Sequence, residues 1–267
     1  MVKFENISKT FPDGTVAVDE VSFTAPEKML TVILGPSGAG KTTLLRTVNQ
    51  LVHPTSGKID IDGVEVTTRN LKIIRTGVGM IFQQFNLVGN LSVLLNVLSG
   101  SLGTHQEWWS NLYLFPKTYR LRALDLLDRV GLIDKVYKRA DELSGGEQQR
   151  VGIARALMQE PKVLLADEPV ASVDPMTSQG ILTLLKELCR EKNLTVLCSL
   201  HQVDLALQFS DRIIGITDGK IILDEKSSIL DMEKLKNIYN TKTQGLFFGP
   251  ATESIGDPAV INWDHMN

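Results

Sequence analysis

"LTVILGPSGAGKTT", residues 30–43, sets an apolar run against a glycine-rich turn that ends in Lys41, Thr42 and Thr43. Leu30 to Leu34 is the length of a buried strand, and the helical pattern begins at about Lys41. Between them, Gly35, Gly38 and Gly40 free the backbone to curl until successive N–H groups point inward, which makes an anion nest at a helix N-terminus. Gly35, Pro36, Ser37, Gly38, Ala39, Gly40, Lys41 and Thr42 fit the G-x-x-x-x-G-K-[ST] pattern in the strand–turn–helix context that the pattern requires. The chemistry predicted for such a loop is nucleotide phosphate binding. Lys41 would reach the β- and γ-phosphates, Thr42 would offer its hydroxyl to Mg²⁺, and Thr43 would touch the α-phosphate.

The same rhythm of short apolar strands and helical patterns recurs along the chain. Val78 to Phe82, Val163 to Ala166, Leu194 to Ser199 and Arg212 to Thr217 read as further strands of a largely parallel sheet wrapped by helices, an α/β architecture. Val2 to Ile7, Val16 to Thr24 and Lys58 to Ile61 read differently: joined by turns such as Pro12-Asp13-Gly14 and Asp62-Gly63, they suggest an antiparallel sheet beside the parallel one. From Leu91 to about Leu157 strand signals vanish and helical periodicity takes over, so a helical lobe of about residues 88–157 is inserted in the core. Residues 1–241 are expected to form one domain. It closes with an amphipathic pattern from Ser227 to Tyr239, and residues 242–267 read as a loosely ordered tail.

"KVLLADEP", residues 162–169, supplies a second element: an apolar strand delivering two adjacent carboxylates at its C-terminal end, where α/β sheets bind ligands. Asp167 would hold Mg²⁺, directly or through water, and Glu168 is placed to take a proton from an attacking water.

Composition limits the partners. The 267 residues carry 28 basic and 31 acidic side chains, a net charge of −3, with no block of one sign. That argues against nucleic acid held on a basic face. Cys189 and Cys198 lie in apolar segments without metal or disulfide spacing. Met1 to Asn6 has no secretory pattern, and the expected location is cytoplasmic. From Thr76 to Gln106 there is no Asp, Glu, Lys or Arg, which meets the length test for a membrane span, but Gln83, Gln84, Asn86, Asn90, Ser92 and Asn96 argue against one.

"LSGGEQQRVGIARAL", residues 143–157, opens a helix with a serine and two glycines, and it closely resembles the signature sequence of ABC ATPases. The other parts of that family follow in order. Phe11 in "KTFPDGT" matches the aromatic that stacks on adenine, and Gln83 in "IFQQFNL" matches the Gln that senses Mg²⁺ and the γ-phosphate. "ASVD", Ala171 to Asp174, sits at the D-loop with Val where Leu is commoner, and His201 in "CSLHQ" follows a strand as the switch histidine does. The resemblance runs from about residue 2 to residue 240. It implies a P-loop NTPase fold with a RecA-like core, an N-terminal antiparallel β-subdomain and an inserted α-helical subdomain.

It also implies ATP and Mg²⁺ as cofactors, with Glu168, His201 and Gln83 as the catalytic set. Two copies would pair head to tail, so that ATP held by Lys41 of one chain meets Ser144, Gly145, Gly146 and Glu147 of the other, with Asp174 at the junction. The signature helix start is then an anion site that its own phosphate loop cannot fill. A single cassette without long coiled coils separates the chain from DNA-associated and translation ATPases and leaves a membrane transporter.

Within the family, "FNLVGNLSVLLNVLSGSLG" (85–103), "LFPKTYRLRALDLLDRVGL" (114–132), "ADEPVASVDP" (166–175) and "SLHQVDLAL" (199–207) resemble the ATP-binding subunits of phosphonate importers. This implies a peripheral subunit on the cytoplasmic face of the membrane, working with two permease subunits and an extracytoplasmic binding protein. Its cargo would be a phosphonate, phosphite or related oxyanion. The alternatives are an importer of phosphate or polar amino acids and, from another class, a nucleotide-binding regulator, against which the intact Glu168 and His201 count. Trp108 and Trp109 are candidate partner anchors.

Overall fold

The computed structural model describes residues 1–103, 115–230 and 235. In chain order the elements are β1 (Val2–Thr10), β2 (Val16–Ala25), β3 (Leu30–Leu34), α1 (Lys41–Val48), β4 (Ser56–Ile61), β5 (Val64–Glu65), α2 (Leu71–Gly77) and β6 (Val78–Ile81). Then follow α3 (Val93–Leu98), α4 (Lys117–Arg129), α5 (Gly145–Met158), β7 (Val163–Asp167), α6 (Pro175–Glu191), β8 (Thr195–Leu200), α7 (Val203–Phe209), β9 (Arg212–Thr217) and β10 (Lys220–Lys226).

The described strands form two sheets. A six-stranded sheet runs in the order β10-β9-β3-β8-β7-β6, and a four-stranded one in the order β2-β1-β4-β5. In the larger sheet all pairings are parallel except that of β10, which lies antiparallel on β9. The smaller sheet is antiparallel throughout.

The central strands are apolar at nearly every position because both faces are covered. Leu30, Val32 and Leu34 of β3, with Leu164 and Ala166 of β7, face a core shared with α3 to α7. Ile33, Val163 and Leu165 face the opposite core, shared with α1 and the antiparallel sheet, where Phe4 and Phe23 stack with ring centroids 4.4 Å apart. Each fully buried Leu or Ile contributes about 1.5–3 kcal/mol by leaving water, and the period of two divides one strand between two cores. Thr31, in the middle of β3, is buried with a hydroxyl that has no partner among the described residues; nothing in the packing accounts for it.

Helices α3, α4 and α5 pack on one another, and none of the described helices is long and apolar enough to cross a membrane. The uncharged stretch instead becomes, as far as Gly103, the end of α2, β6, a loop, α3 and a 3₁₀ turn at Ser99–Gly103. One of its polar residues is used inside the protein, while Gln83, Gln84, Asn86 and Asn90 stay exposed: Asn96 is buried, its Oδ1 accepts from the Val88 amide at 2.8 Å, and its Nδ2 donates to Val88 O at 3.1 Å. Of the amphipathic pattern expected over Ser227 to Tyr239, Ser227–Ile229 form a single 3₁₀ turn and Leu235 is helical and buried. Residues 231–234 and 236–239 of that pattern, the tail 242–267, and Trp108 and Trp109 lie outside the described residues.

Candidate functional site

The strand order explains how residues distant in sequence meet. β3, β8, β7 and β6 are neighbours in that order, and their C-terminal ends deliver, in turn, the glycine loop, His201, Asp167 with Glu168, and Gln83. This is the carboxyl edge at which open α/β sheets bind ligands.

The loop is shaped by close approach as much as by glycine's freedom. Gly40, which starts α1, has φ +98°, and a Cβ there would lie 2.1 Å from the carbonyl of Ala17 on β2. A Cβ at Gly35 would lie 2.2 Å from Ile216 O on β9. The loop is thus clamped between β2 and β9, and the hairpin turn that carries Phe11 ends just before β2. Phe11 itself is half-buried, with the Lys9 ammonium 5.2 Å from its ring centroid.

Lys41 is 4% exposed. Its Nζ donates to Gly35 O and Pro36 O, each at 2.9 Å, and lies 3.4 Å from Glu168 Oε1. Burial pushes its pKa down, and attraction to Glu168 opposes that push. Asp167 is fully buried with both oxygens engaged. Oδ1 accepts from Thr42 Oγ1 at 2.7 Å and from Ser199 Oγ at 3.1 Å, and Oδ2 accepts from Arg46 Nη2 at 3.2 Å. Glu168 leaves the strand in the left-handed region at φ +46°, a conformation uncommon outside glycine. Pro36, Ser37, Gln83, Glu168, His201 and Asp204 line a cavity of about 760 Å³. Ser144, Gly145 and Gly146 are not among its lining residues.

The signature helix α5 differs from expectation in one respect. The sequence reading leaves its first amides open to an anion, but the Ser144 amide donates to Glu147 Oε2 at 3.0 Å while Ser144 Oγ accepts from the Glu147 amide at 3.4 Å. This is a capping box. The helix geometry leaves the amides of Gly145 and Gly146 without intrahelical acceptors. Glu147 also pairs with Lys135, and that bond, with the Ser144 amide, holds its carboxyl at about 2.

Gly146 has a packing reason too, since a Cβ there would meet Thr177 Cγ2 of α6 at 2.5 Å. Asp174 caps α6, accepting from the Thr177 amide at 3.0 Å, and hydrogen bonding from the Thr177 side chain, then from its amide, lowers the Asp174 pKa. Behind the signature, Arg155 donates to Phe85 O at 3.1 Å and also bonds Asn86 O, tying the loop after Gln83 to α5.

Arg46, Ser199 and Asp204 belong to this site although the sequence assigned them no role in it. The first two touch Asp167 and the third lines the cavity.

The sequence pattern of the ABC transporter family matches residues 18–171. The chain belongs to that family. Among curated relatives it is 50% identical over 238 residues to the phosphonates import ATP-binding protein PhnC of Thiobacillus denitrificans, covering 89% of this chain and 92% of that one. It is 47% identical over 242 residues to a second protein of that name from Trichodesmium erythraeum, covering 90% and 93%. Among solved structures the cassette resembles a dimeric bacterial ABC transporter cassette, with TM-score 0.76, 35% identity and 85% and 99% of the two chains covered. It also resembles the dimeric post-hydrolysis state of an ATP-binding cassette bound to ADP and Pi, with TM-score 0.75, 36% identity and coverage of 85% and 99%. The fold of this chain is that of an ATP-binding cassette, with the α/β core and antiparallel sheet expected from its sequence.

Proposed function

We propose that this cassette hydrolyses ATP to power import of a phosphonate or a related phosphorus oxyanion such as phosphite through membrane permease subunits. The observation that carries the reading is the 50% identity over 238 residues to a protein named for phosphonate import, a span long enough to include the helical layer as well as the nucleotide loops.

Gly35 to Gly40 present their amides to the phosphates, Lys41 reaches the β- and γ-phosphates, Thr43 meets the α-phosphate, and Phe11 stacks on adenine. Thr42 and Asp167, with Gln83, would hold Mg²⁺, which when bound neutralises charge on the β- and γ-phosphates. The donor set fits that cation: hard oxygens around one buried carboxylate, and no cluster of three His, Cys, Asp or Glu among the described residues. Such a site suits an ion that takes phosphate and water oxygens for its remaining positions. Glu168 accepts a proton from the attacking water, and His201 reaches the γ-phosphate from the end of β8.

The signature amides of Gly145 and Gly146, with the Ser144 hydroxyl, serve the ATP of a second copy, and Asp174 lies at that junction. Glu147 works from within its own helix as the cap. A separate groove of about 490 Å³, lined by Leu51, Met80, Phe82, Asn86, Gly100 and Arg155, lies between the edge strand β6 and the helical layer. It receives a permease segment on the cytoplasmic face of the membrane. An extracytoplasmic binding protein delivers the cargo.

Two measurements test the reading. Lys41→Ala is expected to weaken ATP binding by about 10-fold or more, because it removes the charge-assisted contact to the phosphates; unchanged affinity in equilibrium titration would take Lys41 out of the site. For the cargo, the cassette is reconstituted in proteoliposomes with its permease and binding protein. Its ATPase rate is expected to rise with methylphosphonate or phosphite and not with inorganic phosphate or polar amino acids. Stimulation only by the latter compounds would overturn the cargo class and leave the ATPase standing.

A further inference from the structure

We infer that Ser199 is a positioning residue of the hydrolysis site, setting Asp167 and Glu168 in their mutual arrangement through a single hydroxyl. The inference rests on the ATPase reading above.

Ser199 and Asp167 are register partners across the parallel pair β8 and β7, and both are fully buried. Ser199 Oγ donates to Asp167 Oδ1 at 3.1 Å and accepts from the Glu168 amide at 2.9 Å. Its only proton and a lone pair are therefore spent on two consecutive residues with separate tasks. The first bond, beside that of Thr42, fixes which way Oδ1 points, while Arg46 fixes Oδ2. The second bond matters because Glu168 turns out of the strand at φ +46°. Here the Ser199 hydroxyl gives the turned amide an acceptor. A left-handed turn at a non-glycine residue persists only where its surroundings over-determine it, and this bond is one such constraint. In this turned conformation the Glu168 carboxylate stands 3.4 Å from Lys41 Nζ.

Without the hydroxyl, the Glu168 amide would be left without its acceptor and Asp167 Oδ1 with one donor fewer. The strain at Glu168 would then be free to relax. The ATP-binding loop makes no contact with Ser199 among the described hydrogen bonds. The loss should thus fall on catalysis and on Mg²⁺ use rather than on nucleotide binding.

The test compares full-length wild type with Ser199→Ala and Ser199→Thr, the latter a β-branched residue suited to a strand that keeps the hydroxyl. In Ser199→Ala the kcat for ATP is expected to fall by about 10-fold, the equivalent of one weakened positional contact in the transition state. The half-saturating Mg²⁺ concentration should rise by about 3-fold or more, while ATP affinity measured in EDTA stays within about 2-fold. In the nucleotide-free chain, the Glu168 amide should exchange with solvent deuterium at least about 10-fold faster than in wild type. Ser199→Thr should recover most of kcat and of the amide protection.

Wild-type kcat and Mg²⁺ dependence in Ser199→Ala would overturn the inference, and so would a lowered unfolding midpoint with kcat unchanged, which marks a packing role alone. If Ser199→Ala does not fold, Ser199→Cys takes its place, since its thiol is a weak donor and acceptor of similar shape; full activity there overturns the inference in the same way. A wild-type chain that hydrolyses no ATP with its permease present would instead defeat the ATPase reading, and Glu168 exchange in Ser199→Ala would still report on the positioning bond.

Discussion

Glu168→Gln is expected to cut steady-state ATP turnover by at least about 100-fold and to leave ATP affinity within about 3-fold. Two carboxylates line the cavity beside the glycine loop, those of Glu168 and Asp204, and the geometry favours the first. Glu168 follows β7 directly and stands 3.4 Å from Lys41 Nζ, the group assigned to the β- and γ-phosphates in the proposed function. Asp204 lies in the first turn of α7, beyond His201. The adjacent Asp167 is unsuited to proton transfer, because it is fully buried and accepts three hydrogen bonds. Gln keeps the size and the hydrogen-bonding outline of Glu168 but cannot accept the proton of an attacking water. Steady-state assays alongside nucleotide titration, with Asp204→Asn as control, decide the matter. Near wild-type turnover in Glu168→Gln would remove it from the catalytic role, and a collapse in Asp204→Asn alone would transfer that role to α7.

The parts of this site that were legible in sequence are those where one segment holds its own chemistry. Leu30 to Leu34 shows as a strand because a strand buried on both faces must be apolar throughout, and the glycine loop follows it at once. The capping box at the signature is also written in the sequence, as Ser144 with Glu147 three residues later. Edge elements are harder to read. β10 keeps only Leu223 buried and carries Lys220, Asp224, Glu225 and Lys226, so its composition is that of a solvated loop until β9 pairs with it. α2 buries Ile74 alone and shows no helical stripe. Contacts made by strand order were invisible: Arg46, Ser199 and Asp167 are far apart in the chain, and only the β8–β7 register and the last turn of α1, which carries Arg46, bring the three together. A serine inside "TVLCSL" reads as a tolerated polar residue in an apolar strand, because the sequence does not reveal which carboxylate lies opposite.

The Glu168→Gln chain is expected to dimerise on adding ATP but not ADP, and Ser144→Arg in the same chain is expected to abolish that dimer while each monomer still binds nucleotide. The γ-phosphate is the group that distinguishes the two nucleotides, so a dimer that needs it must hold it between surfaces. On one surface stands Lys41. On the other, the structure leaves Gly145 and Gly146 as the amides at the positively polarised start of α5, with the Ser144 hydroxyl beside them and Glu147 turned inward to the Ser144 amide and Lys135. These residues do not line the cavity at Glu168 of their own chain, and under the proposed function the phosphate they meet would come from another copy. An Arg side chain at 144 fills that space and removes the cap hydroxyl, which costs about 1 kcal/mol of helix stability. That cost is too small to unfold a cassette of this size, and it falls far from Lys41 in sequence. Size-exclusion chromatography with ATP, with ADP and without nucleotide, run beside nucleotide titration of the monomer, reads both halves. Persistence of the ATP dimer in the double variant would mean that the signature does not clasp the partner's γ-phosphate. Loss of nucleotide binding by the monomeric double variant would assign Ser144 to its own chain's ATP, and the head-to-tail arrangement would then fail.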